Sequence, residues 1–277
     1  MNKKLLALYG LKWNPFSPEL PTEALYRSAA VEHFLWRVQQ SLIGEGGFAL
    51  ISGDPGTGKS VSLRLLSEHI APQRDITVGA IVHPSSTLAD FYREMGDVFG
   101  IDLKPSNRWR GFKALRERWQ SHLDSTLTRP ILLIDEAQEM PPTVLNELRL
   151  LSSTQFDSRN LLSVVLAGDA RLNRKLRRDE LLPLGSRMRI RLVTEYADRE
   201  ELMACLTHLA TSAGNPKLMT DELMQTLCDH ACGNYRVLTT MAAELLATAA
   251  KQELVQLDEK LYLGVFGAPS NNTRKRA

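Results

Sequence analysis

Gly53-Asp54-Pro55-Gly56-Thr57-Gly58-Lys59-Ser60 is the run in this chain whose residue types and spacing most directly imply chemistry. Its glycines let backbone N–H groups turn inward around an anion, and a helix starting at Lys59 adds its partial positive charge. Lys59 is spaced to reach β- and γ-phosphate oxygens, and the Ser60 hydroxyl to ligate Mg²⁺. A second run, Ile131-Leu-Leu-Ile-Asp135-Glu136, ends four apolar residues in two carboxylates. Asp135 suits the Mg²⁺ shell; Glu136 suits a base that orients and deprotonates a water. Together the two runs predict hydrolysis of a nucleoside triphosphate.

Phosphoryl transfer also needs positive charge near the γ-phosphate. Arg187, in Leu-Gly-Ser-Arg-Met-Arg, and Arg236, in Gly-Asn-Tyr-Arg, are the candidates, each weighed against a plain surface arginine. Asp169 follows an apolar run and could position water or relay the phosphate state; as a bare helix N-cap it would do neither.

The hydrophobic pattern predicts the scaffold. Short apolar runs at 48–52, 77–82, 131–134 and 163–167 read as buried strands, and 188–193 alternates Arg with apolar residues. Helical spacing marks 31–42, 59–70, 88–99, 109–127 and 142–151. Alternation of strand and helix indicates a parallel sheet covered on both faces. After Tyr196 the pattern is helical only, at 199–212, 221–231 and 235–251. The expected organisation is an irregular then helical N-terminal segment (1–45), an α/β core (46–196), a small α-helical domain (197–265) and a mobile basic tail (266–277).

The 277 residues carry 34 Lys+Arg against 32 Asp+Glu, a net charge of +2 that by itself argues against polyanion binding by bulk charge. Its distribution reverses the reading. Residues 104–129 hold seven basic against two acidic side chains, 171–191 hold eight against two, and the remainder is therefore at −9. With Trp109 and Phe112 nearby, Arg108, Arg110, Lys113, Arg174 and Lys175 are candidates for sequence-tolerant contact with DNA phosphates. The alternatives are a solvated helix face over a core of Leu115 and Trp119, and subunit-interface pairing for 174–178.

No apolar run approaches the roughly 18 residues of a membrane span, and the start lacks the pattern of a signal peptide, so a cytoplasmic protein is expected. Three cysteines are too few and odd for a disulfide framework. Cys205, His208, Cys228 and Cys232 lack a usual zinc spacing and read as packed thiols. The methionines at 203, 219, 224 and 241 read as core or interface fillers.

Over roughly residues 5–255 the chain resembles AAA+ ATPases of the initiator-like branch, and within them the ExeA-like family. Tyr9–Ser17 is similar to that family's opening "NPF" stretch, Gly53–Ser60 to Walker A and Ile131–Glu136 to Walker B. Leu166–Leu172 resembles its sensor-1 segment, although Asp169 stands where the family usually carries Gln. Leu184–Arg187 resembles its arginine-finger segment, with Arg189 and Arg191 as competitors, and Gly233–Arg236 its sensor-2 motif.

The resemblance implies an AAA+ P-loop αβα core with a five-stranded parallel sheet, order 5-1-4-3-2, followed by a helical lid. It implies ATP and Mg²⁺ as ligands, and a homo-oligomeric ring or helical filament with ATP in the subunit interface. Secretion-type members add a transmembrane helix and a periplasmic portion, which this chain lacks. That favours the transposition-associated type, similar in role to MuB, TnsC, TniB and IstB proteins, which assemble on double-stranded target DNA and recruit a transposase. The competing expectations are a secretion or cell-envelope ATPase, and a nucleotide-switched protein scaffold that binds no DNA.

Overall fold

The computed structural model describes residues 2–73, 75–81, 83–103 and 107–267. Val82, Lys104 and the expected mobile tail beyond residue 267 lie outside the described residues. The chain divides into two compact units, one of residues 27–195 and one of residues 1–26 with 196–277.

The first unit is built on five parallel strands: β1 (Gly47–Gly53), β2 (Val78–Ile81), β3 (Ile131–Ile134), β4 (Ser163–Gly168) and β5 (Met188–Thr194). Their spatial order is β2-β3-β4-β1-β5, the order 5-1-4-3-2 implied by the resemblance. The inner strands β1, β3 and β4 are near-continuous apolar runs because helices cover both faces of a parallel sheet. β5 is an edge strand. Met188, Ile190 and Leu192 turn inward while Arg189, Arg191 and Val193 face out. The helices Lys59–Ile70, Leu88–Phe99 and Pro142–Leu151 fall where the apolar spacing predicts them. A fourth, Arg108–Thr126, is started by the Asn107 side chain accepting the Arg110 amide at 2.9 Å. The expected helix at 31–42 begins at Ala29 and widens into a π-turn over Val38–Leu42.

The second unit is helical: Arg199–Ser212, Asp221–Ala231, Tyr235–Lys251 and Glu259–Phe266. Each starts on a side-chain cap, from Asp198, Thr220, Asn234 and Asp258 respectively. The sequence reading treated 1–45 as one N-terminal segment, irregular before helical; the structure instead opens with a helix, Asn2–Tyr9, and assigns 1–26 to this unit. Burial of Tyr9, Leu11 and Phe16 draws that segment in, and the Lys12 amide donates to the Ala213 carbonyl at 2.8 Å. No helix among the described residues is long and apolar enough to cross a membrane.

Candidate functional site

Parallel strands place all their carboxyl ends on one edge, and four chemistry-bearing segments meet the solvent there. Gly53 ends β1, Asp135 follows β3, Asp169 follows β4, and Thr194, paired with Gly53, ends β5. β4 lies between β1 and β3, so Asp169 stands between the glycine-rich loop and the carboxylate pair.

The loop is held in shape by its own hydroxyl and ammonium groups. Thr57 Oγ1 donates to the Asp54 carbonyl at 2.8 Å and shares a hydrogen bond with Thr194 Oγ1 at 2.7 Å. Lys59, only 6% exposed, folds back to donate from Nζ to the Asp54 carbonyl at 2.9 Å. Gly58 has φ +100°, and no atom lies within 4 Å of where a Cβ would stand, so the space beside its amide is open. Asp54, Pro55 and Ser60 are exposed and Gly56 is half-buried. Gly53 is needed for a different reason: a Cβ there would lie 2.1 Å from Thr194 Oγ1 and 2.2 Å from the Thr194 carbonyl oxygen. Gly53→Ala is expected to cost about 1–3 kcal/mol, because backbone rather than a flexible tip must move. Urea unfolding measures that cost, and nucleotide titration should show weakened binding.

Asp135 is half-buried and accepts the Glu136 amide on Oδ1 at 2.9 Å; Glu136 is exposed. Glu136 takes a left-handed backbone, φ +50°, uncommon for a residue with a Cβ and a mark of a segment fixed by its surroundings. The Ser60 hydroxyl and Asp135 carboxylate are the hard oxygen donors that Mg²⁺ accepts, Ser60 exposed and Asp135 half-buried. The residues present therefore fit a triphosphate with its cation.

Asp169 caps the helix Ala170–Leu176. Oδ1 accepts the Arg171 amide at 2.7 Å and Oδ2 accepts Arg171 Nε at 2.8 Å. Burial pushes this carboxyl up, but the Arg171 amide and guanidinium, with Lys59 adding its charge, hold it below the ordinary carboxylate range. The carboxylate is therefore engaged as a helix cap. Arg187 pairs with Asp157, which lies in a turn where Gln155, Phe156 and Asp157 all have positive φ. Phe156, at the tip of that turn, is wholly exposed. The competitors Arg189 and Arg191 contact Glu45 at 3.4 Å and the Gly185 carbonyl at 3.2 Å. Arg236 is exposed on the first turn of Tyr235–Lys251, in the helical unit.

Two of the five expected phosphate contacts carry hydrogen-bond partners within the protein. Arg108 donates through Nε at 2.9 Å and through Nη2 to the carboxylate of Glu147, which also accepts from the Tyr92 hydroxyl. Lys175 Nζ donates to the Gln138 and Met140 carbonyls, the latter at 2.7 Å. Both pairings have one cause: a fixed buried acceptor holds the cation. Arg110, Lys113 and Arg174 stay exposed. On the helix of Arg110 and Lys113, Trp109, 74% exposed, stacks on Phe112 with ring centroids 6.1 Å apart, and Arg116 lies 5.1 Å from the Phe112 ring centre. Leu115 and Trp119, on the other side of that helix, are buried.

Cys205 and Cys228 are packed, with burial pushing their thiols up to about 12 and about 11, whereas Cys232 is exposed. No metal-holding cluster of His, Cys, Asp or Glu occurs among the described residues. Met219 and Met224 are buried; Met203 and Met241 are half-buried.

Sequence reasoning missed Gln138 and Thr194. Gln138 is 5% exposed; its Oε1 accepts the Asp169 amide at 3.2 Å and its Nε2 donates to Glu136. A polar residue two places past a carboxylate pair carries no spacing signature, so only its burial marks it.

Residues 42–176 match the family model of an AAA domain. The chain is similar to the General secretion pathway protein A of Aeromonas hydrophila, at 30% identity over 245 residues, which is 87% of this chain and 44% of that protein. It therefore spans less than half the length of the curated relative it matches. Among solved structures, Cdc6p from Pyrobaculum aerophilum superposes with TM-score 0.69 at 18% identity, covering 88% of this chain and 67% of that one. The Aeropyrum pernix ORC1 protein in complex with DNA gives 0.68 at 16%, covering 90% and 67%. Domain III of the Thermotoga maritima replication initiation protein DnaA gives 0.62 at 19%, covering 91% and 98%. These likenesses and the strand order show the AAA+ P-loop fold.

Proposed function

We propose that this chain, with an AAA domain at residues 42–176 and the AAA+ P-loop fold, is a Mg²⁺-dependent ATPase whose nucleotide state governs its attachment to double-stranded DNA. The observation that carries the ATPase reading is the juxtaposition of the Gly53–Ser60 loop and the Asp135–Glu136 pair at one edge of a single sheet. In that cycle the loop amides and Lys59 bind the β- and γ-phosphates, the ammonium leaving the Asp54 carbonyl for them. Ser60 and Asp135 would hold Mg²⁺, whose charge neutralises phosphate oxygens when bound. Glu136 orients a water and takes its proton as the γ-phosphoryl passes to it, giving ADP and phosphate. Arg187 would act on the nucleotide of a neighbouring copy, releasing Asp157 to do so, and this would make assembly depend on ATP.

DNA as effector is supported by the exposed Arg110 and Lys113 with the adjoining Trp109–Phe112 pair, by the exposed Arg174, and by the fold shared with an ORC1 protein solved in complex with DNA. Recruitment of a transposase rests on the resemblance to transposition ATPases. A second reading, a partner in secretion, is favoured by the relative named General secretion pathway protein A.

The test is phosphate release by the purified protein with ATP and Mg²⁺, together with duplex DNA binding at several salt concentrations. Arg110→Ala/Lys113→Ala is expected to weaken binding on any sequence and to reduce the slope of log K against log salt by about 2. Absence of DNA binding in every nucleotide state would overturn the DNA reading in favour of a protein partner.

A further inference from the structure

The side-chain amide of Gln138 is held at both ends. The Asp169 amide can only donate and the Glu136 carboxylate accepts, so the two bonds also fix which end of the amide is oxygen and which is nitrogen. Room for this bridge exists because residue 168 has no side chain. A Cβ on Gly168 would stand 2.5 Å from Gln138 Oε1 and 2.8 Å from Leu172 Cδ2. The backbone beneath is pinned by Lys175 through the Gln138 and Met140 carbonyls. On the far side Asp169 is locked to Arg171, which reaches back to Glu139 at 2.9 Å. The result is a closed chain of contacts, Glu136–Gln138–Asp169–Arg171–Glu139, joining the loop after β3 to the segment after β4.

From this geometry we infer that Gln138 is a positioning residue for hydrolysis, coupling the backbone of the Gly168–Asp169 segment to the aim of the Glu136 carboxylate. The inference deepens the ATPase reading and rests on it. Movement of that segment when a γ-phosphate binds or leaves must displace the Asp169 amide, and with it Gln138 and Glu136. Buried side chains transmit such shifts because close packing leaves them no alternative position. Gln138 touches neither the phosphates nor the water; it sets where the base points.

The test uses Gln138→Met, which keeps the shape and removes both hydrogen bonds, and Gln138→Glu, which keeps an acceptor for the Asp169 amide and places a second carboxylate beside Glu136. Hydrogen exchange at the Asp169 amide is measured without nucleotide, beside ATP affinity and kcat over a range of pH. In Gln138→Met, Asp169 exchange is expected to accelerate at least tenfold and kcat to fall about 10-fold, part of the ~10²–10⁴ that a general base supplies, with ATP affinity within about threefold. In Gln138→Glu, Asp169 exchange is expected to stay within about threefold of wild type while kcat falls, because the acceptor for the Asp169 amide is kept and the donor to Glu136 is lost. Unchanged exchange, unchanged kcat, or a kcat loss matched by equal loss of ATP affinity would each overturn the inference. Wild-type protein that releases no phosphate would refute the ATPase reading instead, while the exchange arm still decides whether the bridge exists.

Discussion

Glu136→Gln is expected to bind ATP within about threefold of the wild-type affinity and to hydrolyse it ~10²–10⁴ times more slowly. The substitution keeps the size and shape of the side chain and removes only its ability to take a proton. Nothing else at the sheet edge should move. The Glu136 amide still donates to Asp135, and the Gln138 amide still finds an oxygen to face at position 136. The loop Gly53–Ser60 is held by Thr57, Lys59 and Thr194, none of which contacts Glu136 through a hydrogen bond found here. Fluorescent-nucleotide titration and phosphate release separate the two properties. Equal loss of binding would show that Glu136 supports the site rather than the chemical step. If nucleotide state governs DNA attachment, the same variant should stay on DNA with ATP under conditions where wild type dissociates.

Arg108→Ala is expected to destabilise the sheet unit by about 3 kcal/mol and to leave the salt slope of DNA binding unchanged. The figure is the low end of the ~3–5 kcal/mol for removing one partner of a buried ion pair. The low end applies because the Arg108 side chain is 60% exposed while that of Glu147 is 1% exposed. The pH dependence should invert. Burial alone pushes the Glu147 carboxyl up, but Arg108 and Tyr92 outweigh it and hold the group below its ordinary 4.5. In wild type the carboxylate therefore adds stability above about pH 4.5, lost as pH falls through the lower folded value. Without Arg108, burial dominates and the folded value lies above 4.5. The group then costs stability at neutral pH, and the cost is relieved on acidification. The gap between variant and wild type should narrow from pH 7 to pH 5, read by thermal or urea unfolding. A gap that stays constant would mean that Glu147 is not carrying a buried charge.

The elements of this fold were legible because their signals are local. The runs at 48–52, 131–134 and 163–167 are continuous apolar stretches too short for helices, and the structure turns each into an inner strand of one sheet. The alternation at 188–193 became an edge strand for the same reason. The helix at Asn2–Tyr9 was less legible: the Tyr9 carbonyl takes its donor from the Asn215 side chain and the Lys12 amide just beyond donates to the Ala213 carbonyl, partners some 200 positions away. The Gly53–Ser60 run stood out in the sequence because glycine, lysine and serine at this spacing suit the geometry of a phosphate, which does not depend on the rest of the chain.

Charge was the property that sequence could count but not assign. Two basic islands were visible, yet whether a given cation was free depended on distant partners: Glu147 for Arg108, and the Gln138 and Met140 carbonyls for Lys175. The Gly53–Ser60 run, the carboxylate pair and the order of strands and helices were readable from short-range pattern alone. Which arginines and lysines have partners in the protein, and that Gln138 joins Asp169 to Glu136, came from the folded chain. The Arg108–Glu147, Lys175–Met140 and Gln138–Asp169 contacts join residues 31 to 39 apart along the chain, and the folding of a sheet edge, not the spacing of residues, brings them within a hydrogen bond of one another.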